Sequence, residues 1–182
     1  FAVNSMENAR FSVDVTVDEV ALHEVYLPHF RRIIDEGAAS VMSAYNSANG
    51  EWCGQNRALL TDVLRDEWGF TGFVISDWIF GLRDAARSLH AGLDIEMPYR
   101  MVRAQHLEAA LESGDASWDD VDTAVTRVIA TLLRFDPVLA ERPDRAVVGC
   151  AEHRALAREV AARSVVLLRN EPVDGAPVLP LR

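Results

Sequence analysis

The chain has 182 residues, 49% hydrophobic and 25% charged, a balance that supports one sizeable core and argues against a mainly disordered state. Its formal net charge is −10 and every basic side chain apart from His is Arg, which argues against nucleic acid or an anionic membrane as partner. The apolar runs are only a few residues long, so no segment is expected to span a bilayer. Cys53 and Cys150 lie far apart without metal spacing and read as unpaired thiols. FAVNSMENAR at the start has neither an initiator Met nor a charged-then-apolar leader, so it reads as the beginning of a fragment and leaves the compartment open.

In chain order, the first element is a helix over 17–36. Thr16 and Glu19 have capping-box spacing, an apolar stripe from Val20 to Ile34 follows, and Gly37 stops it. Pro28 predicts a kink or break inside. Residues 39–46 (ASVMSAYN) read as a strand, with Asn49-Gly50 as the breaker beyond it. The spacing of Leu59, Leu60, Val63 and Leu64 predicts a helix over 55–70, and GFVISD (72–77) then reads as a buried strand. A helix over 82–90, a strand over 91–98, and helices over 101–113 and 118–134 follow, the last capped by Ser117.

Strands alternating with helices indicate an α/β fold with a parallel sheet, in three visible units where a closed barrel needs eight. The reading is a partial TIM-like (β/α) barrel over 1–135, then a Pro-rich linker at 136–150. Residues 151–182 read as the first elements of an α/β sandwich, with a helix over 152–164 and a buried strand over 165–170.

Parallel βα folds bind ligands at the carboxyl ends of their strands. The polar residues just past each expected strand are Tyr45 and Asn46, then Asp77 and Trp78, then Asp94, Glu96 and Met97. Arg10 joins them if the opening segment leaves an earlier strand. A carboxylate, an aromatic platform, a Tyr and an Arg suit a sugar, whose hydroxyls take charged hydrogen bonds while its apolar face stacks on a ring. Each residue also has a bland reading. Asp77 is equally a turn or helix cap, Tyr45 and Trp78 are rim packing, and Arg10 pairs with Glu7 or Asp14. Asp94 and Glu96 alternate along one strand, so at most one faces a pocket and a salt bridge is the default for the other. The five His residues, at 23, 29, 90, 106 and 153, lack ligand spacing, and no phosphate loop, zinc motif or cofactor motif is present.

The stretches FAVNSMENAR, SVMSAYNSANGEWC (40–53), LLTDVLRDEWGFTGFVISDW (59–78), AGLDIEMP (91–98) and SVVLLRNE (164–171) together resemble glycoside hydrolase family 3, the β-glucosidase family. The resemblance implies a TIM-like barrel followed by an α/β sandwich, with the active site between them and no cofactor. It implies that Asp77 is the nucleophile, that Arg10, Met42 and Tyr45 contact the sugar, and that Trp78 walls a subsite. It also implies a Lys-His pair just before Phe1 and a general acid/base beyond Arg182. The substrate is then a small glycoside or oligosaccharide, cleaved by double displacement, with β-xylosidase and α-arabinofuranosidase as alternative specificities. A non-catalytic partial barrel is the alternative of another class. Ile79-Phe80-Gly81 departs from the pattern, because many relatives carry a small Gly-Ala pair after the SDW motif.

Overall fold

The computed structural model describes residues 1–180; Leu181 and Arg182, the end of the segment assigned to a sandwich, lie outside the described residues. The chain divides into two compact units, 1–137 and 138–182.

The first unit is built on a parallel ladder. Strand β2 (Ser40–Met42) pairs in parallel with β5 (Phe73–Ile75), Ser40 opposite Phe73 and Met42 opposite Ile75. The ladder extends on both sides. The Phe1 backbone nitrogen donates to Met42 O and Phe1 O accepts from Ala44 N, while Ile75 bridges in parallel to Ile95. Four extended segments therefore lie side by side in chain order. A separate, smaller sheet has β1 (Asp14–Val15) parallel to β3 (Ser47–Ala48), and β3 turns at Asn49-Gly50 into antiparallel β4 (Glu51–Trp52). Asn-Gly is the dipeptide that a two-residue hairpin favours, and both residues have positive φ.

Pro28 breaks the expected long helix in two. α1 (Glu19–Ala21) opens into a wide turn over Leu22–Tyr26, and α2 (Pro28–Asp35) restarts with the proline in its first turn, where the missing N–H costs nothing. The N-cap is Asp18, whose side chain accepts from Ala21 N, and not Thr16. The Ala58–Glu67 helix is also wide: Trp68 N donates to Val63 O, five residues back. It buries Leu59, Leu60, Val63 and Leu64 against Val74 and Leu93, each fully buried Leu contributing about 2 kcal/mol.

The strand expected over 91–98 is largely absent. α3 (Ala85–Ala91) occupies its start, Gly92 ends that helix with a left-handed φ, and only Ile95 makes a strand bridge. α4 (Val102–Ser113) and α5 (Trp118–Ala140) follow. α5 runs through Pro137, six residues past its expected end; the carbonyl that the proline leaves free belongs to exposed Leu133.

In the second unit, α6 (Ala151–Ser164) forms where the sequence places a helix. The expected buried strand 165–170 does not form. Val165, Val166 and Leu167 are exposed and Leu168 is 92% exposed, and among the described residues the strands of this unit are β6 (Pro172–Val173) and β7 (Ala176–Pro177), paired with each other. An apolar run becomes a strand only where a neighbour meets its backbone N–H and C=O groups.

Candidate active site

The candidate site lies at the carboxyl ends of β2 and β5. Val74 is fully buried, Ser76 nearly so, and the chain emerges at Asp77, which is half-buried, and Trp78, which is exposed. Asp77 Oδ1 accepts from Trp78 N at 2.7 Å, a local turn bond that orients the carboxylate. Met42, the last residue of β2, lines a cleft of about 340 Å3 together with Asp77, Phe1, Asn4 and Phe30.

Tyr45 approaches from the loop after β2. Its hydroxyl donates to Trp78 O at 2.8 Å, tying that loop to the one carrying Asp77. Burial, and then the Asp77 carboxylate beside it, raise the Tyr45 phenol above its ordinary value, while Arg10 pulls it down. The phenol therefore stays protonated; its one O–H is engaged by Trp78 O, and its oxygen can still accept. Arg10 closes this side: its guanidinium carbon lies 5.7 Å from the Tyr45 ring centroid and 4.7 Å from that of Phe11. Its Nη1 is paired with Glu7 at 2.5 Å, while its Nε is buried without a hydrogen-bond partner. The pairing with Glu7 is the bland reading of Arg10, and it engages only Nη1.

Asp77, Tyr45, Trp78 and Arg10 are thus linked by direct contacts or by one shared ring, and Met42 joins them through the cleft. Asp94 and Glu96 do not join them. Asp94 has a fully buried side chain that takes Arg65 at 2.7 Å, Arg127 at 3.1 Å and Val74 N at 2.7 Å. Burial pushes its carboxyl above the usual range, opposed by Arg65, the Val74 amide and Arg127. Glu96 accepts from the backbone N–H groups of Met101, Val102 and Arg103, so it caps the start of α4. Both are structural carboxylates, one more than the alternation along the chain required.

Three contributors receive no site role from the sequence, although Phe80 and Gly81 lie in the segment that departs from the family pattern. Phe11 stacks on Tyr45 with centroids 4.8 Å apart, and Phe80 stacks on Phe11 at 5.3 Å. Residues 11, 45 and 80 share no spacing that sequence reasoning could detect. Gly81 allows the turn after Asp77 to fold back, since a Cβ there would lie 2.5 Å from Asp77 N. Among the described residues no cluster of His, Cys, Asp or Glu is arranged to hold a metal, and no helix is long and apolar enough to cross a membrane.

With this geometry in view, the comparisons with known proteins are direct. The chain is 39% identical to thermostable β-glucosidase B of Acetivibrio thermocellus, over its whole length and 23% of that protein's. It superposes on the crystal structure of DesR, a β-glucosidase from Streptomyces venezuelae in complex with D-glucose, with a TM-score of 0.81 and 36% identity, over 94% of this chain and 24% of that one. β-Glucosidase 3B of Thermotoga neapolitana in complex with glucose gives a TM-score of 0.79 at 37% identity, covering 100% of this chain and 26% of that one. The chain thus spans about a quarter of the length of these relatives. Residues 5–131 match the glycosyl hydrolase family 3 N-terminal domain, and the chain belongs to glycosyl hydrolase family 3.

Proposed function

We infer that this chain is the nucleophile-bearing segment of a retaining β-glucosidase, with Asp77 as the attacking carboxylate. One observation carries the reading: Asp77 stands just past the carboxyl end of an inner strand of a parallel ladder, unpaired with any cation among the described residues and flanked by Tyr45 and Trp78. A nucleophile must keep its charge without being fully engaged, and Asp77 has that freedom where Asp94 does not.

In the first step Asp77 attacks the anomeric carbon, the glycosidic C–O bond breaks, and the leaving oxygen takes a proton from a second carboxyl group. Water then attacks the glycosyl–Asp77 ester and releases the sugar with retained configuration. The second group belongs about 5–5.5 Å from the first and comes from a segment outside residues 1–182. Arg10, Met42 and Tyr45 contact the bound sugar, and Trp78 walls the subsite. On this reading the four-segment ladder is an arc of a TIM-like barrel over 1–135, 136–150 is a linker, and 151–182 opens an α/β sandwich. The exposed VVLL run is then a strand whose partner lies elsewhere in the complete enzyme.

The test is trapping. A 2-deoxy-2-fluoro-glucoside with a good leaving group, incubated with the complete enzyme, is expected to add one fluoroglucosyl mass to the peptide containing Asp77. A label on any other residue rejects the assignment, and a faster aryl xyloside than aryl glucoside shifts the specificity to xylose. The isolated 182 residues are expected to hydrolyse neither substrate, since they hold one of the two carboxyl groups.

A further inference from the structure

Resting on the glycosidase reading above, we propose that Phe80 and Phe11 form an aromatic platform that binds an apolar or aryl leaving group beside Asp77.

The turn after Asp77 is held in a conformation its sequence resists. Ile79 has φ of +68°, a left-handed value that a β-branched residue rarely takes. Ile79 N donates to Met97 O at 3.0 Å, Phe80 N to Trp78 O at 2.7 Å and Gly81 N to Asp77 O at 3.3 Å. On its far side the turn meets the Cys53–Gln55 segment so closely that a Cβ on Gly54 would lie 2.0 Å from Gly81 O. Strain retained in this way next to a reactive group points to a function for what the turn displays.

What it displays is apolar. Trp78, Ile79 and Phe80 are 43%, 39% and 50% exposed, and Phe11, against which Phe80 stacks edge to face at 71°, is 44% exposed. Single exposed apolar residues are ordinary, but three consecutive ones directly after Asp77, with a fourth stacked on the last, are not. The surface is also fixed. Phe80 rests on Phe11, Phe11 on Tyr45, and the Tyr45 hydroxyl returns to Trp78 O, while Arg83 holds Phe11 O at 3.2 Å. A preorganised aromatic face loses little entropy when a ring settles on it.

The occupant follows from the chemistry of the patch. A glycoside with its anomeric carbon at Asp77 keeps its sugar hydroxyls among the polar groups and projects its leaving group along the neighbouring surface. Of the four side chains there, only Trp78 has a hydrogen-bonding atom. A second sugar needs several such partners; an aryl or arylalkyl group needs none.

The experiment uses the complete enzyme with 2-phenylethyl and ethyl β-glucosides, whose leaving alcohols have similar acidity, so that their kcat/KM ratio reports the aglycone contact. Phe80→Ala is expected to lower kcat/KM for the phenylethyl substrate by about tenfold, mostly through KM, while the ethyl substrate stays within about twofold. Phe11→Leu is expected to act in the same direction more weakly, and Phe80→Tyr to preserve the ratio; Phe80→Leu serves if the Ala variant does not fold. An equal loss on both substrates, or no change on either, overturns the platform. Asp77→Ala separates the two claims: glucoside turnover that survives it rejects the nucleophile and the platform together. Loss in Asp77→Ala with an unchanged ratio in Phe80→Ala rejects the platform alone.

Discussion

Asp77 and Asp94 are both aspartates beside β5, and the molecule treats them in opposite ways. Asp94, against the buried part of the strand, has no exposed side-chain surface and is filled by two guanidinium groups and the Val74 amide. Asp77, three residues further along β5 from Val74, is half-buried and takes the adjacent Trp78 amide on one oxygen. A buried carboxylate must have partners, since leaving it without them costs several kcal/mol, whereas one at a strand end can keep its bonding capacity for a ligand. The first holds the sheet edge together, and the second is left partly open to solvent.

Paired substitutions in the complete enzyme break or sharpen this contrast. The largest effect is expected from Asp77→Asn, which should lower turnover of an aryl glucoside by more than about a thousandfold while shifting stability by less than about 0.5 kcal/mol. Asp94→Asn should do the reverse in kind, destabilising by about 3–5 kcal/mol in denaturant titration because Arg65 and Arg127 are left facing a neutral group. Equal stability losses in the two variants would erase the distinction. Gly81→Ala comes next. Its Cβ has no room beside Asp77, so about 1–3 kcal/mol of stability and most of the activity should be lost together.

Away from both aspartates the effects shrink. Ser117→Ala removes the cap of α5, where the Ser117 hydroxyl accepts from Asp120 N and donates to Asp120 Oδ2, and should cost about 1 kcal/mol with activity intact. The smallest effect is a pH dependence. Hydrogen bonds from the Ser117 hydroxyl and amide hold the Asp120 carboxyl below its ordinary value of 3.8. A group lowered on folding contributes stability above its unfolded value and loses that contribution as pH falls through the folded one. Asp120→Asn should therefore lower stability slightly at neutral pH and leave it nearly unchanged at strongly acid pH, so that the acid limb of the unfolding curve is flattened.

Local rules read well from the sequence. Pro28 broke the first helix, Asn49-Gly50 made the hairpin, Ser117 capped α5, and the family was carried by motifs in chain order. They failed where a residue's state depends on a distant partner. AGLDIEMP alternates like a strand, yet its first residue closes α3 and its acidic residues serve Arg65 and the start of α4. VVLLRN has strand composition, but among the described residues no neighbouring strand pairs with it.

By itself the sequence determined the α/β class, the family and the placing of Asp77 at the end of an apolar strand, because spacing, turn chemistry and motif order are local properties of the chain. Only the tertiary structure decided which aspartate was consumed by arginines and which stayed open, and that Phe11 meets Phe80. Those outcomes depend on residues tens of positions apart being brought into contact, and burial sets the cost of leaving any of them unpaired.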